Sequence, residues 1–178
     1  MPGTYYDSMD RYATGMRWFD RGRYTEALHY WRPLAEAGDC DAQYRYGTLF
    51  LLGAGIPKDE AVAVDWLSKA ATQGQYRAQM VMAMAYARES VTMASIVRRF
   101  VIDCCDGCGL PADAVLAHQW LLITRASLPE RQQDVRRAMD TRIATHAKGL
   151  AADQTVQAEH AAAAWQPWPG RCTPRELS

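Results

Sequence analysis

The stretch Ala37–Gly74, AGDCDAQYRYGTLFLLGAGIPKDEAVAVDWLSKAATQG, decides the fold. It predicts two amphipathic helices around a tight loop. Ala42, Gly47, Ala63, Ala70 and Ala71 are small and fall at helical spacing, which lets neighbouring helices approach until ridges fill grooves. Trp66 fills the remaining space. Gly53 and Gly55 supply positive φ for the loop, and Pro57 then starts the second helix, where a missing N–H costs nothing. Asp59 is placed in that first turn, against the positive end of the helix dipole and within reach of unsatisfied backbone donors.

The same pattern returns downstream in QGQYRAQMVMAMAYA (73–87) and in DGCGLPADAVLAHQWLLITRA (106–126). Ala42-Gln43 recurs as Ala78-Gln79, the Gly53/Gly55 loop as Gly107/Gly109, Pro57 and Asp59 as Pro111 and Asp113, and Ala63 and Trp66 as Ala117 and Trp120. Self-similarity of this period is the mark of a stacked repeat whose units cannot bury their apolar faces alone. Elsewhere apolar residues recur three and four apart, alternation of period two is never sustained, and glycines and prolines cut the chain into short helices.

On these residues the chain closely resembles the Sel1-like repeat family, a relative of the tetratricopeptide repeats built from stacked helix pairs. The resemblance runs over roughly 12–165, including a degenerate first pair (GRYTEALHYWRPLAEAG) and terminal helices (LAADQTVQAEHAAAAW) similar to those that close such arrays. It implies an all-α, right-handed superhelical solenoid of antiparallel helix pairs, with an inserted helix and C-terminal capping helices. The expected organisation is one domain over 1–165: a degenerate pair at about 5–37, a repeat at 38–74, a repeat with an insertion at 75–127, and capping helices at about 129–165. Residues 166–178 are expected to be extended or disordered. The family also implies bacterial adaptor roles.

The insertion is measured by the repeat. Equivalent glycines are 36 residues apart from Gly38 to Gly74 but 54 from Gly53 to Gly107, so 18 extra residues lie within 89–106. Met93, Ile96, Val97, Phe100, Val101 and Cys104 form an apolar stripe, and no Gly or Pro interrupts 75–106, so 92–103 is expected to be helical with Ile96, Val97, Phe100 and Val101 buried. One long helix and an added helix after a bend are equally admissible.

With 178 residues, 49% of them hydrophobic, the chain has enough apolar content for a sizeable core, which excludes disorder as its main state. Twenty basic residues balance twenty acidic ones, so no global charge draws the chain to nucleic acid or an anionic membrane. No segment approaches 18 consecutive apolar residues and the amino terminus lacks a leader pattern, so no membrane insertion and a cytoplasmic location are expected.

Five cysteines (Cys40, Cys104, Cys105, Cys108, Cys172) are odd in number and irregularly spaced, which points to reduced thiols. Cys105 and Cys108 have C-x-x-C spacing, but a structural zinc site needs four ligands and no second pair exists. A metal-binding or redox-sensing protein using Cys104, Cys105 and Cys108 is the alternative reading; no cofactor is expected otherwise. His29, His118, His146 and His160 fall in no metalloprotease pattern, His118 stands at a core-facing repeat position, and no phosphate loop or serine elbow is present. A non-catalytic protein-binding module is therefore the expected function, with a protein or peptide partner and an oligomeric state that the sequence leaves open, a monomer being favoured.

The candidate binding face follows from helical spacing. Ala42, Tyr46, Gly47 and Phe50 define one packed side, so Tyr44, Arg45, Thr48 and Leu52 point the opposite way, followed by Met80, Val81, Met84 and Arg88 in the next unit. In helix-pair solenoids the first helices line the concave face, where Tyr, Met and Arg suit an apolar peptide or helix. Coverage of this stripe by the inserted segment or the chain termini is the competing expectation.

Overall fold

Helix starts are set by side chains that accept from the free N–H groups of the first turn. The computed structural model describes residues 5–92, 101–103, 108–167 and 172. In it Asp39, Asp59 and Asp113 accept from the N–H groups of Ala42, Val62 and Leu116 at 2.9, 3.0 and 2.9 Å. Gln75 does the same for Arg77 and Ala78. Asp59 is thus an N-cap and not a first-turn residue, with φ −145° and ψ 101°, and the helix begins at Glu60, three residues after Pro57. The extended backbone that lets the carboxylate fold back onto its own helix cannot itself be helical.

Eight helices lie among the described residues: α1 (Tyr5–Asp20), α2 (Tyr24–Glu36), α3 (Cys40–Leu52), α4 (Glu60–Thr72), α5 (Tyr76–Ala87), α6 (Ala114–Ser127), α7 (Gln133–Ala147) and α8 (Ala152–Ala164). From α1 to α6 each packs on the next, and α6 carries both α7 and α8. The architecture is all-α. One core joins α1, α2 and α3 around Trp31 and Leu49; the other runs from α3 through α7 around Leu67, Met84 and Leu121. Small residues do what their spacing predicts. Ala42, Ala63, Ala70 and Ala71 are fully buried, and a Cβ on Gly47 would stand 3.0 Å from Leu67 Cγ and 3.1 Å from the Ala63 carbonyl. Gly53 and Gly55 take φ of 64° and 73°, and Gly55 passes so close to the start of α2 that a Cβ would sit 2.6 Å from Thr25 N.

The insertion departs from expectation. Helix α5 stops at Ala87, where Arg88 adopts φ 54° and ψ 41° and Glu89 N–H reaches back to Met84 O at 3.1 Å. That six-to-one bond is a Schellman ending, here built on a residue other than glycine, and it rules out one continuous helix through the insert. Strands β1 (Ser90–Thr92) and β2 (Val101–Asp103) then pair antiparallel, with Ser90 opposite Asp103 and Thr92 opposite Val101. The expected helix over 92–103 is therefore wrong at both ends; 93–100, with Ile96, Val97 and Phe100, and 104–107, with Cys104 and Cys105, lie outside the described residues. Val91, Thr92, Val101 and Ile102 are β-branched, stiff at χ1 and better suited to a ribbon than to a helix. The base of the excursion is nonetheless a repeat feature. Asp113 N–H donates to Tyr86 O as Asp59 N–H donates to Phe50 O, both at 3.1 Å.

The expectation of reduced cysteines fails for Cys40 and Cys172. Cys40, at the start of α3, is joined to Cys172 across 132 residues, with Cα atoms 5.8 Å apart, well within disulfide reach. Beyond α8, Pro167 lies against Gly74, and Cys172 N–H donates to Gln73 O at 3.0 Å. The pairing joins positions 132 residues apart and left no trace in cysteine spacing.

Candidate functional site

The residues assigned to the concave face come together, but as buried groups. In α3, 11 of 13 residues are buried, and in α5, 10 of 12. Tyr44, Thr48, Met80, Val81 and Met84 are all sequestered, and Arg45 is 4% exposed. Leu52 is half-buried, and only Arg88 is exposed, at the left-handed end of α5. The open stripe drawn from helical spacing is thus a correction. Apart from Arg77 and Gln79 the helix YRAQMVMAMAYA carries no charged or amide side chain, and a helix this apolar packs on nearly every side.

Polar groups gather where this stripe meets α1. Arg45 Nε donates to the Tyr12 hydroxyl at 3.4 Å, and its guanidinium stands 5.5 Å from the Phe19 ring centre, 6.0 Å from that of Trp31 and 5.7 Å from that of Tyr44. Cation–π contacts of this kind partly replace lost hydration. Asp41, one turn earlier, accepts from Gln75 Nε2 at 2.9 Å. Arg77, in the first turn of α5, lies over the Tyr76 ring at 4.7 Å. It is 9% exposed, and its Nε, like the Tyr44 hydroxyl, has no hydrogen-bond partner. Burial pushes the phenols of Tyr12 and Tyr44 up while Arg45 and Arg77 oppose it, so at neutral pH both are un-ionised hydroxyls able to donate.

The surrounding amides are structural. Gln43 Nε2 donates to Ala35 O and Gln79 Nε2 to Ala71 O, both at 3.1 Å, so the repeated Ala-Gln pair ties each first helix to the end of the helix before it. Sequence reasoning found Tyr44 and Arg45 but missed Tyr12, Asp41, Gln75 and Arg77. Asp41 and Arg77 occupy equivalent positions in successive repeats, and a charge at both was the available signal.

A second feature lies at the other end of the stack. His118, 1% exposed, stacks on His146 of α7 with ring centres 5.5 Å apart and planes at 19°. Neither Nδ1 has a hydrogen-bond partner. Burial pushes both imidazoles below the ordinary value; His146 adds to the effect on His118, and Arg142 to that on His146, while Glu159 and Glu89 oppose it. His146 also borders a cavity of about 530 Å³ with Thr141, Thr145 and Leu150, at whose edge Arg142 meets Glu89 at 3.4 Å. Of the cysteine cluster, Cys108 is a buried thiol with φ 50°, and Cys105 lies outside the described residues. The metal-ligand set found among the described residues, Cys40, Asp41 and Cys172, contains the disulfide, whose sulfurs are not thiolate ligands.

No helix among the described residues is long and apolar enough to cross a membrane. No curated protein matches the chain. The crystal structure of c5321, described as a protective antigen present in uropathogenic Escherichia coli strains and displaying an SLR fold, is similar with a TM-score of 0.63 and 24% identity. The similarity covers 87% of this chain and 29% of that one, so the present chain spans less than a third of that protein's length. At that identity the likeness carries the fold alone. Sequence similarity to the Sel1 repeat falls on residues 12–39, 40–75 and 104–123, which are the first pair, the complete repeat, and the loop and second helix after the insertion. Three matched repeats, laid out as stacked helix pairs with shared caps and loop bonds, show that the chain belongs to the Sel1 repeat family.

Proposed function

We propose that the chain is a non-catalytic protein-interaction module that takes a peptide or helix of another protein along the side lined by α1, α3 and α5. Stacked helix pairs present an extended, rigid surface of this kind, and repeat domains typically use it to bind proteins. The observation that carries the reading is the stack itself, matched Sel1 repeats laid out as packed helix pairs, with Leu52 partly exposed and Arg88 exposed at the rim of this side. Equal numbers of acidic and basic residues favour a protein partner over nucleic acid. The Cys40–Cys172 disulfide supports an oxidising compartment over the cytoplasm expected from the amino terminus.

The test is site-specific photocrosslinking in the native cell. A crosslinker at Leu52 or Arg88, on the rim of this side, should give one discrete adduct. The same crosslinker at Lys69 or Val156 should not. Equal labelling from all four positions, or an adduct from Val156 alone, would move the binding surface away from α3 and α5.

A further inference from the structure

We infer that the cavity between the start of α6 and the end of α7 binds a free α-amino acid as its zwitterion, with Arg142 taking the carboxylate, Glu89 the ammonium and the cavity wall an aliphatic side chain. The site is separate from the side lined by α1, α3 and α5, so the inference goes beyond the protein-binding reading. At about 530 Å³ the cavity is of the size that small molecules occupy. Most of its wall is apolar or already engaged. Ala114, Ala138 and Leu150 offer no polar side chain. Thr141 Oγ1 donates to Arg137 O at 3.1 Å and Thr145 Oγ1 to Thr141 O at 2.9 Å, and the N–H groups of Gly149 and Leu150 donate to His146 O and Ala147 O, both at 3.1 Å. The polar capacity that remains lies with Glu89, Arg142 and His146.

The ion pair at the edge is open where its neighbour is closed. Elsewhere on α7, Asp140 is gripped by Arg125 of α6 through two hydrogen bonds of 2.5 and 3.2 Å. Arg142 Nη1 meets Glu89 Oε2 only at 3.4 Å, beyond the ordinary N–H···O range, and its guanidinium makes no hydrogen bond among the described residues. Exposure does not explain the difference, since the arginines are 28% and 31% exposed and the carboxylates 53% and 45%. Glu89 is held in place by the left-handed turn that ends α5, where its N–H reaches Met84 O. An amino acid carries both complementary charges on adjacent groups, and seated between Arg142 and Glu89 it replaces one long contact by two charge-assisted hydrogen bonds. Charge balance selects the zwitterion. Arg142 and Glu89 cancel, and burial lowers the His146 pKa, so at neutral pH the ring adds no charge. A lone carboxylate or a lone amine would bring an unmatched charge into a partly desolvated site.

The experiment titrates the full ¹⁵N-labelled chain at neutral pH and constant ionic strength with L-leucine, N-acetyl-L-leucine, L-leucinamide and glycine, and follows the backbone amide resonances. Leucine should shift Thr145, His146 and Gly149 saturably and leave α3 unchanged. N-acetyl-leucine, which lacks the ammonium, and leucinamide, which lacks the carboxylate, should each bind at least about tenfold more weakly, as loss of a charge-assisted pair implies. Glycine should also bind more weakly, for want of a side chain. Arg142→Gln should abolish the preference for leucine over leucinamide, and Glu89→Gln the preference for leucine over N-acetyl-leucine, an exchange that loss of a purely structural ion pair would not produce. If either variant does not fold, the wild-type titrations decide alone. No saturable shift, shifts confined to other parts of the stack, equal binding of either blocked leucine or of glycine, or preferences unchanged in both folded variants would overturn the assignment. Crosslinking from Leu52 and Arg88 is independent of these outcomes, so the protein-binding reading stands or falls separately.

Discussion

Breaking the Cys40–Cys172 link should destabilise the protein mainly by freeing its unfolded chain. The bond closes a loop of 132 residues. A cross-link of that span removes about 17 cal/mol/K of loop-closure entropy from the denatured ensemble, about 5 kcal/mol at 25 °C. That is comparable to the whole stability of a modest domain. Two features of the structure lower the figure. Denatured repeat chains keep local helical structure, so less entropy is released than for a random coil. Some contacts near the link also survive reduction, since Cys172 N–H still has Gln73 O as its acceptor and Pro167 still lies against Gly74. The expected loss is about 2–5 kcal/mol. Urea unfolding followed by circular dichroism on oxidised protein, reduced protein and the Cys40→Ala/Cys172→Ala variant measures it. The oxidised form should also show the smaller dependence on urea, because a cross-linked denatured chain exposes less surface. Superimposable curves for oxidised protein and double variant would refute the entropic reasoning. Alkylation of both residues in native protein without reductant would refute the bond itself.

Gly15→Ala should destabilise by about 1–3 kcal/mol despite the better helix propensity of alanine. The added methyl would overlap Nε1 of fully buried Trp31, whose indole N–H donates to Tyr12 O, and a raised melting temperature would contradict this packing. Asp59→Ala and Asp113→Ala should each cost about 1 kcal/mol and add in the double variant, because they cap separate helices, α4 and α6; loss of stability from neither would show that the caps are dispensable. Stability should fall on acidification through the His118–His146 stack. Folding lowers both pKa values while the unfolded chain keeps about 6.5, so as pH drops the unfolded state binds protons first. The contribution is whole above about pH 6.5 and is lost as pH falls through the lowered folded values. Urea midpoints between neutral pH and pH 5 should therefore fall less for His118→Leu/His146→Leu, and parallel slopes would exclude the pair as the cause.

What the sequence by itself determined is local or periodic. The helix-pair repeat, the glycine loops at Gly53 and Gly55, the small residues that let α3 and α4 close together and the acidic residues at the starts of α4 and α6 were all legible, because dihedral preference and capping act within a few residues and repetition displays them twice. Even the length of the insertion could be read, since Asp59 and Asp113 return to equivalent carbonyls at Phe50 and Tyr86. Its conformation could not. An apolar stripe has helical spacing whether or not the chain follows it, and in the described part the β-branched residues pair across a ribbon. Burial was also beyond the sequence. Tyr44, Arg45 and Met84 lie opposite the side that packs within their own pair, and only the stacking of successive units sequesters them. The Cys40–Cys172 bond and the Gln75–Asp41 hydrogen bond depend on the same long-range geometry. They join residues from different turns of the stack, whose distances follow from how helices accumulate along it and not from the residues between them.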